Sequence, residues 1–278
     1  MELINQLKYI FKLSRPRFWF YLAGPALIGL VLGSETLTQL LSLNNLLMFL
    51  YFLIPANVMV YGVNDFFDRK IDQNNPKKKD KEELYRDSKL VKTVIASSTL
   101  LGGLFWFSVP DISFVSLGFF LFLGIFYSTP PLRFKTKPIL DSFSNGLYLM
   151  PLLVTYSSLT GSLPSVNIIV AGWLWTMAMH TFSAIPDIKP DRDAGINTTA
   201  TFLGRKTTYF YCGSLWLISA ITVGVWNLWI GLLFGLYPLL TVIFYFSDLT
   251  DTKAYWYFPY INFVVGMVVT QAALLKFV

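Results

Sequence analysis

The sequence predicts an all-α integral membrane protein of about nine transmembrane helices, and three observations carry that prediction. Only 14% of the 278 residues are charged, and the mean hydropathy is +0.54. A soluble globular domain carries about 25% charged residues, so most of this surface does not face water. The apolar residues fall in blocks of roughly 17–25, the length a helix needs to cross about 30 Å of hydrocarbon. Alternating segments of about 10 residues, the mark of a membrane β-barrel, are absent.

In chain order the expected spans are 17–37, 43–65, 90–109, 112–129, 138–160, 166–187, 207–226, 228–247 and 255–275. Ahead of the first, Met1 to Lys12 is amphipathic and mixed in charge. It lacks the short apolar core and small-residue cleavage site of a signal peptide, so it is expected to stay on the mature protein. The single cysteine, Cys212, excludes an intrachain disulfide and a cysteine metal cluster, and the single histidine, His180, excludes a His-rich metal site. No composition shift or long Pro/Gly/Ser linker divides the chain, so residues 1–278 read as one domain.

A net charge of +6 suits a nucleic-acid partner, but its placement argues against one. Of the 22 Lys and Arg residues, 21 fall in the N-terminal stretch or the even-numbered loops, and only Lys276 lies on the other side. The positive-inside rule then puts the N-terminus and the even loops in the cytoplasm and the C-terminus outside. The run Lys77, Lys78, Lys79 reads as a topology and lipid-charge signal. A pore or transporter buries ionisable groups near the bilayer midplane. Here they crowd one face, so the chemistry is expected there.

Two motifs carry that chemistry. The second span runs into Asn64-Asp65-Phe66-Phe67-Asp68-Arg69-Lys70-Ile71-Asp72, and the sixth into Pro186-Asp187-Ile188-Lys189-Pro190-Asp191-Arg192-Asp193. Residues four apart share a helix face, so Asn64, Asp68 and Asp72 form one polar stripe. Asp187 and Asp191 form a second, with Pro190 expected to bend or end that helix. Like charges at this spacing repel, and the C-terminal end of a helix dipole disfavours anions. Such carboxylates need a cation. Oxygen-only ligands select a hard ion, Mg2+ or Ca2+. Mg2+ takes one or two carboxylates and fills its other positions with water and phosphate oxygens. Two facing stripes would hold two Mg2+ ions around a diphosphate, with Arg69, Lys70, Arg133, Lys135 and Lys189 supplying further positive charge. Asn57 and His180 lie about two turns before Asn64 and Asp187, where they would line a cavity.

Asn64-Asp65-x-x-Asp68-x-x-x-Asp72 resembles the first Asp-rich motif of the UbiA superfamily of intramembrane prenyltransferases, and Asp187-x-x-x-Asp191 resembles the second. A Tyr127-Ser128-x-Pro130-Pro131-x-Arg133-x-Lys135 loop after the fourth span extends the likeness over the chain. The resemblance implies a helical bundle around a central cavity with a cytoplasmic polar cap. It also implies Mg2+-dependent ionisation of an isoprenyl diphosphate to an allylic carbocation, which a hydrophobic acceptor then attacks. By position, Asn64, Asp65, Asp68, Asp72, Asp187 and Asp191 would hold metal, while Arg69, Tyr127, Arg133, Lys135 and Lys189 would serve the diphosphate.

Ser14-Arg15-Pro16-Arg17-Phe18-Trp19 and the stretch from Ala184 to Ala200 are similar to lycopene elongases, which implies dimethylallyl diphosphate as donor and a carotenoid as acceptor. The alternative acceptors are an aromatic or quinone precursor and a glycerol-phosphate lipid. The competing class is a transporter or lipid-binding membrane protein that uses the same acidic face.

Overall fold

The structure is a computed structural model that describes residues 2–72, 85, 88–105 and 110–278. Lys77, Lys78 and Lys79 lie outside the described residues, as do the side chains of Lys70 and Asp72. Among the described residues there are helices and no strands. The longer ones are α1 (Glu2–Leu13), α2 (Phe20–Gly33), α3 (Leu43–Leu53, after a single turn at Leu37–Leu40), α4 (Pro55–Asp72), α5 (Lys89–Phe105) and α6 (Asp111–Phe126). After several short turns follow α7 (Met150–Thr160), α8 (Val166–Ser183), α9 (Ile188–Asp193), α10 (Thr199–Trp226), α11 (Leu228–Phe234), α12 (Leu236–Phe246) and α13 (Asp251–Leu274).

Among the described residues, five stretches are long and apolar enough to cross a bilayer: Leu43–Arg69, Val166–Asp193, Thr199–Trp226, Leu228–Phe246 and Asp251–Phe277. A sixth is added if Ile4–Phe18 and Phe20–Gly33, bent by 64°, count as one span. Phe210, Trp229, Phe246 and Tyr260 are each more than 70% exposed on these helices. Large apolar side chains left outward in such numbers face lipid rather than water. The protein is an integral membrane protein.

Some expected spans are shorter or divided. The segment expected at 112–129 is an apolar helix of 16 residues. That at 138–160 is split into Leu140–Phe143, a 3-10 stretch Ser144–Tyr148, and α7. Its polar residues explain the division: Asn145 Nδ2 and Ser144 Oγ both donate to the Asp141 carbonyl, at 2.6 and 3.2 Å. Side chains that bond nearby backbone in this way compete with a regular helix ladder.

The chain forms two compact units. The first comprises Met1–Leu132 and Met150–Ser162. Here α2 packs on α7 through small residues: Thr155 Oγ1 donates to the Ala26 carbonyl at 2.9 Å, and a Cβ on Gly29 would lie 2.2 Å from that hydroxyl oxygen. Small residues let helix backbones approach closely in a membrane. Tyr9 and Leu13 of α1 are buried with Val58, Val91 and Ile95, while Ile4, Leu7 and Phe11 are exposed on its opposite face.

The second unit comprises Arg133–Leu149 and Leu163–Lys276. Its core is aromatic, with Trp216, Phe258, Tyr237 and Phe182 buried together and Trp216 stacked on Phe258 at 5.1 Å. The Tyr237 hydroxyl donates to Asn262 Oδ1 at 3.0 Å, satisfying its polar end. Much of the aromatic excess in the composition therefore serves packing.

Candidate active site

In the first unit, α3 breaks at Ile54 because Pro55 has no N–H to continue the ladder, and α4 starts anew. Asn57 is fully buried, and its amide nitrogen donates to the carbonyls of Phe52 and Leu53, both at 3.0 Å. The side chain expected to line a cavity is thus turned back on its own chain, where it caps carbonyls at the break. Further along, Asn64 and Asp68 share a face of α4, and Asp72 ends the helix. Asn64 Oδ1 accepts from Ser128 Oγ at 2.7 Å, which orients the amide. Asp68 is buried.

Asp65 has a distinct surrounding. Arg15 Nη2 donates to its Oδ1 at 2.8 Å, and both side chains are largely buried. Arg15 adopts a left-handed backbone (φ 51°), and its guanidinium lies 4.6 Å from the Tyr61 ring centroid. The turn between α1 and α2 is thereby tied to the motif helix. Nothing in the local sequence gives Arg15 this role, since a pair 50 residues apart leaves no local signal. Arg15→Ala takes a charged donor from a buried carboxylate, a loss of roughly 1.5–3 kcal/mol. Thermal unfolding of the detergent-solubilised chain should show it, whereas Arg17→Ala, an exposed site, should not. Arg69 is exposed, with its guanidinium 5.0 Å from the Phe66 ring. Tyr127, half-buried, caps the C-terminus of α6.

In the second unit the acidic motif differs from its expected form. Helix α8 ends at Ser183, a 3-10 turn covers Ile185–Asp187, and α9 follows as a separate short helix. The break precedes Pro190, which sits in the first turn of α9, where the missing N–H costs no helical bond. Asp187 therefore stands at the N-terminal edge of α9 and Asp191 in its first turn, and both are half-buried. The helix dipole favours anions at that end, the reverse of the expectation for this motif. Arg133 and Lys135 are half-buried in the loop leading to Leu140; Arg133 has φ 39°, and its carbonyl accepts from Thr136 Oγ1 at 3.0 Å. Lys189 is exposed. His180, in the last turn of α8, has Nε2 3.9 Å from Asp141 Oδ2.

Asp141 is a buried acid that belongs to neither sequence motif. A signal for it was present all the same: an ionisable residue at the start of an expected span.

These donors fit a hard divalent ion. Each unit presents Asp or Asn oxygens four residues apart, the set that Mg2+ supplements with phosphate and water. Among the described residues no three His, Cys, Asp or Glu side chains form a closed metal cage.

The profile of the UbiA prenyltransferase family matches residues 22–266. The chain is 46% identical over 274 residues to the lycopene elongase/hydratase of Haloferax volcanii, covering 99% of this chain and 91% of the relative. It is 47% identical over 269 residues to the lycopene elongase/hydratase of Haloarcula japonica, covering 96% and 92%. Its fold is similar to that of a UbiA homologue from Archaeoglobus fulgidus, solved with GPP and Mg2+ bound, at TM-score 0.76 and 19% identity over 96% of this chain and 99% of that one. The same homologue solved with DMAPP and Mg2+ gives 0.73 at 19% identity over the same shares. On the family match and these identities, the chain belongs to the UbiA prenyltransferase family.

Proposed function

We propose that this prenyltransferase moves a dimethylallyl group from its diphosphate to an end of lycopene or a related carotenoid. The observation that carries the reading is the identity of 46% to a lycopene elongase/hydratase along nearly the whole chain. The DMAPP and Mg2+ bound to the Archaeoglobus fulgidus homologue support the donor and the ion.

In this reading the chain acts as one catalytic domain of nine spans, with its N-terminus and both motifs on the cytoplasmic side, as the Lys and Arg distribution supports. Asn64, Asp68 and Asp72 would hold one Mg2+, and Asp187 and Asp191 would hold another. When bound, Mg2+ supplies Lewis-acid neutralisation of the charge that develops on the leaving diphosphate. Arg69, Arg133, Lys135 and Lys189 add fixed positive charge on the same oxygens, and the Tyr127 hydroxyl donates a hydrogen bond to them. Asp65, which the same motif offers to the metal, is held by Arg15 at 2.8 Å and also positions the motif helix.

The C1–O bond of the donor breaks, and its electron pair leaves with the diphosphate. The terminal double bond of the acceptor attacks C1 of the allylic cation. The new cation then loses a proton or takes up water with loss of a proton, in keeping with the relatives' double name.

The test gives membranes containing the full chain dimethylallyl or geranyl diphosphate, Mg2+, and one of lycopene, 4-hydroxybenzoate or a glycerol-phosphate lipid. The reading expects a C45 or C50 product from lycopene with dimethylallyl diphosphate. Product from another acceptor alone overturns the carotenoid assignment, and no product or diphosphate release with any acceptor overturns the enzyme reading.

A further inference from the structure

The second unit holds a fully buried carboxylate, Asp141, that lies outside both acidic motifs. Its Oδ2 accepts from the Thr199 backbone N–H at 2.9 Å, and its Oδ1 accepts from the Thr199 hydroxyl. The Thr199 Oγ1 in turn accepts from the Ile139 N–H at 2.7 Å. Ile139 has φ 71° and ψ −44°. A β-branched residue avoids that region, and such a conformation persists only where its surroundings over-determine it.

The chain that these bonds join is the part that faces the diphosphate in the proposed reading. Ile139 closes the loop that carries Arg133 and Lys135, and Arg133 is itself held at positive φ. Thr199 opens α10, directly after the segment that carries Asp187, Lys189 and Asp191. His180, in the last turn of α8 before that segment, places Nε2 3.9 Å from Asp141 Oδ2. One side chain thus meets the chain on either side of the second motif and, through Thr199, the end of the cationic loop. A carboxylate suits this position because Thr199 offers two donors and both carboxylate oxygens only accept. An Asn in its place accepts at only one of the two positions, so either the Thr199 N–H or the Thr199 hydroxyl loses its acceptor.

We propose that Asp141, acting through Thr199, is a positioning residue that holds the Arg133–Lys135 loop in register with the Asp187–Asp191 segment for diphosphate binding. The inference rests on the reading that those residues serve a Mg2+-bound diphosphate. Asp141 touches neither substrate nor metal; it sets where the groups that do so stand.

The test uses the full chain in nanodiscs as wild type, Asp141→Asn, Thr199→Val and Thr199→Ser. Affinity for inorganic diphosphate with Mg2+ is measured by calorimetry, and KM and kcat for dimethylallyl diphosphate by product formation. Each of the first two variants leaves a buried donor without its acceptor or the reverse, which lowers diphosphate affinity and raises donor KM by about tenfold. The acceptor KM stays at the wild-type value. Thr199→Ser keeps the hydroxyl and both constants.

Wild-type diphosphate affinity in a folded Asp141→Asn or Thr199→Val chain overturns the proposal. So does a Thr199→Ser chain that falls as far as Thr199→Val, because methyl packing would then be what matters. If Asp141→Asn does not fold, the Thr199 pair decides alone. A wild-type chain that binds diphosphate yet forms no prenylated product overturns the functional reading while the affinity series still judges Asp141. A wild-type chain without diphosphate affinity overturns both.

Discussion

Asp68→Ala and Asp187→Ala are each expected to abolish prenyl transfer while the chain still inserts and folds. Departure of a diphosphate from an allylic carbon builds negative charge on oxygens that only cations can stabilise, and a bound divalent ion contributes several kcal/mol to such a step. At 1.36 kcal/mol per tenfold in rate, loss of one metal site slows turnover by on the order of a thousandfold. Asp68 is buried in the last two turns of α4 and Asp187 is half-buried at the edge of α9, so neither belongs to the exposed apolar surface. Membrane yield and elution profile should therefore match the wild type. Asp65→Asn serves as the comparison: it weakens the pairing with Arg15 and is expected to lower thermal stability more than turnover. Full activity in either Ala variant sinks the assignment of that motif as a ligand.

Gly29→Ala is expected to destabilise the first unit. A Cβ there would stand 2.2 Å from Thr155 Oγ1 and 2.5 Å from the Leu152 carbonyl oxygen. The hydroxyl is already fixed by its bond to the Ala26 carbonyl at 2.9 Å, and the backbone oxygen cannot rotate away. Helix α2 must then move off α7, with a cost of about 1–3 kcal/mol. Gly103→Ala in α5 is the control, since nothing lies within 4 Å of its added Cβ. Better helix propensity there should hold or raise stability by up to about 1 kcal/mol. Thermal unfolding of the two variants in detergent separates the outcomes; equal shifts would mean that the α2–α7 contact does not depend on Gly29.

What could be read from the residues follows the range of the interactions involved. Hydropathy shows the membrane class because a lipid environment acts on every outward side chain alike. The four-residue spacing puts Asn64 and Asp68 on one face because α4 is regular over both. The second motif was visible in the residues but its local form was not. The break at Ala184 and the short α9 depend on how the chain turns between α8 and α10, and Pro190 pointed to a bend that lies one turn earlier.

Arg15, Asn57 and Asp141 were legible as residue types and illegible as contacts. Asn57 repairs a break made by Pro55. Arg15 and Asp65 pair across 50 residues, and Asp141 meets Thr199 across 58. Such pairs are set by tertiary packing, which no local spacing encodes.

Diphosphate release measured together with isoprenyl incorporation, in vesicles that contain only this chain, tests the central claim most directly. With dimethylallyl diphosphate and lycopene, the account predicts release matched by incorporation, loss of both on chelation of the divalent ion, and return of both when Mg2+ is restored. Transfer that continues unchanged under chelation, or lycopene left unmodified while the donor stays intact in the presence of Mg2+, would contradict it.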